Sequence, residues 1–318
     1  MMTRREFLVA SSGTALAAAV RGSPASLPGT GPIPIIDSHV HFVDPTRPQG
    51  APWPPRADVS IYRPHLPPKF VAMTAPYHVV GEVVIEASPW LEDNQWVLDL
   101  ARDNTDIVGF IGHLTPGQPE FAGQLQRFGA NPIFRGIRLA GKFLAQAGRP
   151  EVSRDLERLA ERGMTLDVVD GNSALPELGR LARRHPGLRV VIDHLPFTLW
   201  DGRPAAMRAA LAELGSCPNV YAKVSMVVRL RQGRNVSDPA FYRPGLDALW
   251  ELFGSKRVLY GSNWPASART ANYDEIFQAI APYVARRSRR EAEDFYWRNS
   301  IAAYNWRPRG AAAALRSA

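Results

Sequence analysis

The chain is predicted to fold as a single-domain (β/α)8 barrel, the TIM-barrel arrangement, on three observations. Short apolar runs recur along the sequence, each followed by a stretch with helical spacing. Counted from Ile35 there are eight such pairs in roughly 280 residues, the length that a closed barrel of strand–helix units needs. No Gly-x-Gly-x-x-Gly follows a strand and no phosphate-cradling Gly-Lys-Ser/Thr loop appears, so an open nucleotide-binding sheet lacks its marker.

The elements follow in order. Thr3-Arg4-Arg5-Glu6-Phe7-Leu8, an apolar alanine-rich stretch from Val9 to Val20 and the small residues Ser23-Pro24-Ala25 resemble a twin-arginine export signal cleaved near Ala25. Residues 1–25 are therefore read as a signal peptide and the mature protein as exported, periplasmic in a cell with two membranes. The apolar stretch is too short for a membrane span, so none is expected in the mature protein. Residues 26–33 form a Pro/Gly lead-in, 34–308 the barrel and 309–318 a C-terminal tail.

The first strand is Ile35-Ile36-Asp37-Ser38-His39-Val40-His41-Phe42, where two-residue alternation puts His39 and His41 on one face, with Asp37 pointing the same way. Asp44 to Pro68 is proline-rich and carries Trp53, Tyr62 and His65. It has neither strand nor helix period and reads as a long loop, a lid or pocket wall. A helix follows over Lys69–Tyr77. The remaining strand–helix pairs are 81–87 with Asp93–Asn104, 107–114 with Pro119–Phe128, 134–139 with Glu151–Arg162, 165–169 with Ala174–His185, 188–195 with Pro204–Leu214, 219–225 with Gly245–Phe253, and 257–264 with Tyr273–Val284. A last helix covers Arg290–Tyr304.

Composition limits the function. At 318 residues, 45% hydrophobic and 21% charged, the chain has material for one large core. The net charge of +8 is dispersed, and clusters such as Arg183-Arg184 and Arg286-Arg287-Ser288-Arg289-Arg290 lack interleaved aromatics. They read as solvated helix faces, and no nucleic-acid partner is expected. The single cysteine, Cys217, excludes an internal disulfide and a cysteine-based zinc cage.

Barrels of this kind carry their chemistry at the C-terminal strand ends. Polar residues fall there: His39 and His41, then Glu86, His113, Arg138, Asp170, His194, Ser225 and Asn263. Glu86 could ligate a metal or take a proton. Asp193, next to His194, is read as pointing outward, in a supporting role. His65 and His113 are lesser substrate-binding candidates, and Trp53, Trp90, Trp200 and Trp264 candidate pocket walls.

Asp-x-His-x-His in the first strand, Ile-Asp-His-Leu in the sixth and Tyr-Gly-Ser-Asn-Trp-Pro in the eighth together resemble the amidohydrolase-2 family, over roughly Ile33 to Trp306. The nearest branch is that of the sugar-lactone and pyrone-dicarboxylate lactonases. The resemblance implies hydrolysis of a lactone or related carbonyl compound, a small-molecule substrate. Water would attack a carbonyl polarised either by a divalent metal, zinc foremost, or by histidine and arginine without metal. It implies metal ligands His39, His41 and His194, with His194 also catalytic, and a substrate contact from Arg138; the residues themselves add Glu86 as a further metal ligand or catalytic group, Asn263 as a catalytic residue that orients water, and His65, His113 and Trp264 as substrate contacts. One departure stands out: Asn263 occupies the place of the family's usual aspartate. An amide has no basic oxygen at neutral pH, so Asn263 cannot be the general base. Two alternatives therefore stay open, a decarboxylase of aromatic or unsaturated acids on the same scaffold and a non-catalytic sugar-acid-binding relative. Homo-oligomerisation is also open.

Overall fold

The computed structural model describes residues 31–170, 174–194, 204–228, 230–236 and 238–317. The proposed signal peptide, Leu195 and Trp200 lie outside them. Eight parallel strands run in sequence order around the molecule: β1 (Ile35–Val40), β2 (Val79–Ile85), β3 (Ile107–Gly112), β4 (Phe134–Ala140), β5 (Thr165–Val169), β6 (Arg189–Ile192), β7 (Val220–Val224) and β10 (Val258–Tyr260). The ring closes just beyond β10: Val40 bridges Trp264 in parallel, His41 N–H donates to the Trp264 carbonyl at 2.8 Å, and Asn263 N–H donates to the His39 carbonyl at 2.8 Å. A nearly closed parallel barrel with helices around it is the predicted (β/α)8 fold.

Parallel strands buried on both faces need apolar residues on both, and strand alternation sorts them into two layers. Ile36, Val83, Ile85, Val108, Ile111, Val191 and Leu259 fill the barrel interior with Tyr304, which ends the helix Asn299–Tyr304, and Trp306 just beyond it. Val84, Phe110, Ile137, Leu166, Val168, Val190, Ala222 and Val224 face the helices.

The helices follow the predicted spacing with shifts of a few residues at their ends, as in Pro150–Glu161 and Tyr273–Val284. Two differences have physical causes. The final helix is interrupted: Arg289–Glu293 and Asn299–Tyr304 flank a π segment, Asp294–Arg298. The wider turn lets Asp294, Phe295, Tyr296 and Trp297 all be buried in succession. A hairpin of β8 (Leu230–Arg231) and β9 (Arg234–Asn235) was not foreseen, because two-residue strands carry no alternation. Its turn residues Gln232 and Gly233 both have positive φ, the geometry of a tight two-residue hairpin turn.

Residues 310–317, read from sequence as a tail, form a 3-10 helix with Ala312 and Leu315 buried. Among the described residues no helix is long and apolar enough to cross a membrane. Several arginines of the basic clusters form ion pairs within the chain, including Arg183 with Glu213, Arg287 with Asp247, Arg289 with Glu293 and Arg290 with Asp294.

Candidate active site at the barrel mouth

The strand-one histidines reach the mouth through an irregular register. Pairing with β2 slips between Asp37 and Val40, so the alternation changes phase there. As a result Asp37 does not share the face of His39 and His41, contrary to the sequence expectation. Its carboxylate turns to the helix layer, accepting from Ser262 N–H at 2.9 Å and Tyr273 O–H at 3.2 Å. Burial pushes its pKa up to about 6 against those hydrogen bonds.

Inside the mouth, His39 Nε2 lies 3.2 Å from His41 Nε2, and His41 Nε2 lies 3.1 Å from Asn263 Oδ1. His41 Nδ1 sits 2.9 Å from the Ile85 carbonyl. A carbonyl only accepts, so Nδ1 carries the proton and Nε2 presents a lone pair to the mouth. The His194 ring is 4.7 Å from that of His39, and its Nδ1 is 2.7 Å from Ser225 Oγ. Both His194 and Asn263 sit at left-handed φ, 60° and 59°, just past their strands. Such backbone costs about 1–3 kcal/mol per residue and recurs where side chains are aimed for function.

Asp193 is the main correction. It keeps the inward parity of Val191, while the left-handed turn at His194 brings the next side chain to the mouth as well. Fully buried, Asp193 pairs with Lys223 Nζ at 2.9 Å and lies 3.4 Å from His39 Nδ1. Lys223, from β7, also pairs with Asp167 of β5 at 2.8 Å, and Tyr304 O–H donates to Asp167 at 2.9 Å. Lys223 and Asp167 were missed in the sequence. Their signal was legible: a single charged residue between apolar ones in Leu166-Asp167-Val168 and Ala222-Lys223-Val224, on strands buried from both sides.

The other predicted residues divide. Arg138 Nε donates to Glu86 Oε1 at 2.8 Å and its terminal nitrogen to the Glu86 carbonyl at 2.6 Å, so the two residues hold each other at the rim. Glu86 is thereby drawn to the arginine, and Asp193 takes the metal-ligand position that the sequence reading gave to Glu86. Arg138 has a further neighbour in Asp193, 4.0 Å away. Trp53, from the long loop, stands with its ring 5.5 Å from that of His41 and does line the mouth.

Trp264 is only 5% exposed and packs among Phe42, His65 and Phe70, so it serves the seam between β1 and β10 rather than a substrate. His65 is buried edge-on against Trp264, with its backbone paired to Val43. Neither of its ring nitrogens has a hydrogen-bond partner among the described residues. His113 has its backbone clamped by the Asn94 amide, and among the described residues its ring makes no hydrogen bond with the histidine cluster. Trp90 is partly exposed.

The electrostatics suit a cation. Burial lowers the pKa of His41 to about 3 and of His194 to about 4, and holds His39 well below its ordinary value. All three rings are therefore neutral, with lone pairs available. Burial alone would raise the Asp193 carboxyl, but the Lys223 ammonium outweighs it, with His39 adding to the effect, and Asp193 stays ionised. Ligand atoms of His39, Asp193 and His194 lie within 4.8 Å of one another. Neutral imidazoles beside an ionised carboxylate, with His41 and His194 oriented by hydrogen bonds at the second nitrogen, are a donor set that fits a divalent metal.

A parallel (β/α)8 barrel with histidines and a carboxylate converging at its C-terminal mouth defines a class of barrel hydrolases. The chain belongs to the amidohydrolase family: the family model described as Amidohydrolase matches residues 36–306. It is similar to the L-fucono-1,5-lactonase of Burkholderia ambifaria, 28% identical over 244 residues, 76% of this chain and 83% of that protein. It is also similar to the L-fucono-1,5-lactonase of Burkholderia multivorans, 26% identical over 285 residues, 84% of this chain and 94% of that protein. Among solved structures, an amidohydrolase from Burkholderia multivorans with bound zinc matches the fold with a TM-score of 0.76 at 24% identity, over 86% of this chain and 99% of that one. The protein is thus an enzyme, a hydrolase.

Proposed function

We propose that the enzyme opens the ring ester of a small sugar-acid lactone, such as an aldono-1,5-lactone, to the free hydroxy acid. The carrying observation is the convergence of neutral His39, His41 and His194 with ionised Asp193 beside the Arg138–Glu86 pair. In the reaction water adds to the carbonyl carbon, the bond to the ring oxygen breaks, and that oxygen takes up a proton. His39, Asp193 and His194, with His41, would hold a divalent ion, which supplies Lewis acidity towards the carbonyl and makes water more acidic.

The remaining roles belong to the chain itself. Arg138, fixed at Nε by Glu86, offers its other donors to substrate oxygens at the rim. Asn263 sets its side-chain amide beside His41 Nε2 and takes no proton. Glu86 spends one carboxylate oxygen on Arg138 and keeps the other for the proton that leaves the attacking water. Trp53 offers an aromatic face to the apolar side of a sugar ring. The Thr3-Arg4-Arg5 start motivates export of the folded enzyme, testable by cell fractionation.

The test is a panel of aldono-1,4- and 1,5-lactones, L-fucono-1,5-lactone included, read by acid release with and without added zinc or manganese. Acid release supports the proposal, and Glu86→Gln should then lower kcat by about 10²–10⁴-fold. Release of carbon dioxide from aromatic acids, with every lactone left intact, would move the enzyme to the decarboxylases.

A further inference from the structure

We propose that Lys223 is a positioning residue which, together with Asp193, selects the ring nitrogen of His39 that carries the proton. The inference rests on the metal-compatible site above and is independent of the substrate. His39 Nδ1 faces two groups of opposite kind: Lys223 Nζ at 3.2 Å, a donor only, and Asp193 Oδ1 at 3.4 Å, an acceptor only. A neutral imidazole satisfies one of them at a time. With a bare Nδ1, Lys223 donates to it and the proton sits on Nε2. With the proton on Nδ1, Asp193 accepts it and Nε2 is bare.

The second choice has a consequence 3.2 Å away. His41 is fixed by the Ile85 carbonyl with its lone pair on Nε2, facing His39 Nε2. When His39 carries its proton on Nε2, that proton closes a hydrogen bond between the rings. When the proton is on Nδ1, two lone pairs face each other, an arrangement that a cation between them stabilises. Lys223 therefore favours a closed resting pair, and Asp193 favours the open pair that can ligate. Lys223 is anchored for this task, since Asp167 and Asp193 grip its ammonium at 2.8 and 2.9 Å and the Tyr304 ring lies 5.1 Å away.

The chain has seven histidines, so the full-length protein labelled with 15N-histidine and stripped of metal gives a readable long-range 1H–15N spectrum. The two neutral tautomers differ in cross-peak pattern, and His39→Gln assigns the signal. Metal-free wild type should show His39 protonated on Nε2, and added zinc should shift it to Nδ1. Lys223→Met should show the Nδ1 form without metal, and Lys223→Arg should restore the Nε2 form. If unpaired carboxylates prevent Lys223→Met from folding, Lys223→Met with Asp167→Asn removes one of them.

Zinc affinity, measured by competition with a chromophoric chelator, should rise roughly tenfold in Lys223→Met, because the closed state no longer competes. It should fall by at least about 10–100-fold in Asp193→Asn, which removes a candidate ligand as well as the acceptor for His39 Nδ1. An Nδ1-protonated His39 in metal-free wild type, or spectra and affinity unmoved by Lys223→Met, would overturn the proposal. A wild type that binds no zinc would overturn the metal reading instead, and the metal-free spectra would still decide the role of Lys223.

Discussion

Arg138 shows how one side chain is shared between scaffold and chemistry. Burial works against its charge, but Glu86 and Asp193 outweigh that and keep the guanidinium protonated. Charge-assisted hydrogen bonds are worth about 1.5–3 kcal/mol, so Arg138→Met should reduce kcat/KM by roughly 10–100-fold. Arg138→Lys should not recover it, because an ammonium cannot hold Glu86 and offer a second planar pair of donors. Steady-state kinetics on the best lactone of the panel checks both variants, and full activity in Arg138→Lys would remove the bidentate role. Asn263 illustrates the reverse case. The sequence showed that it could not be a base, and the fold shows what it does instead: its backbone closes the barrel while its amide meets His41.

At the scale of elements, the seam between β1 and the segment after β10 joins fold to function. A Cβ on Gly261 would meet the His39 Cβ at 2.6 Å. Gly261→Ala therefore has to push the strand that carries the site, at about 1–3 kcal/mol. A drop of several degrees in Tm with a disproportionate loss of turnover is the expected outcome, read by calorimetry alongside kinetics. A stable variant with full turnover would show that His39 need not be held so closely.

The long loop holds a second test. Burial, with Lys69 and Arg63 nearby, lowers the pKa of His65 to about 4 from 6.5. The unfolded chain takes up this proton near 6.5 and the folded chain only near 4, so acidification across that window favours unfolding. Phe at this position cannot titrate, and it keeps an aromatic edge towards Trp264. Tm of His65→Phe relative to wild type should accordingly be higher at pH 5 than at pH 7.5. A difference that does not change with pH would mean that His65 titrates normally in the fold.

The whole molecule is a barrel sealed at one end and reactive at the other. Tyr304, at the end of the helix Asn299–Tyr304, and Trp306 just beyond it fill the interior, and Tyr304 reaches Asp167 beneath the Lys223 network. A ligand that binds only the folded state stabilises it, by about 2.7 kcal/mol at a hundredfold excess over its Kd. Prolonged dialysis against chelator should thus lower Tm by several degrees, with recovery on zinc or manganese. Invariant Tm across these steps would argue against a resident ion.

The sequence by itself determined the barrel and most of its mouth. Eight apolar runs with helical stretches between them leave few other ways to bury so much strand, and His39, His41, Arg138 and His194 follow once the strand ends are located. Tertiary structure alone decided the residues whose direction depends on a broken alternation or on a distant partner. The register slip in β1 turned Asp37 away from the histidines, and the left-handed turn at His194 let Asp193 and His194 both serve the site. Lys223 and Asp167 lie 56 positions apart in sequence, and no local period could have joined them. Alternation is a property of one strand, whereas the assignment of a buried charge to its partner is a property of the closed barrel.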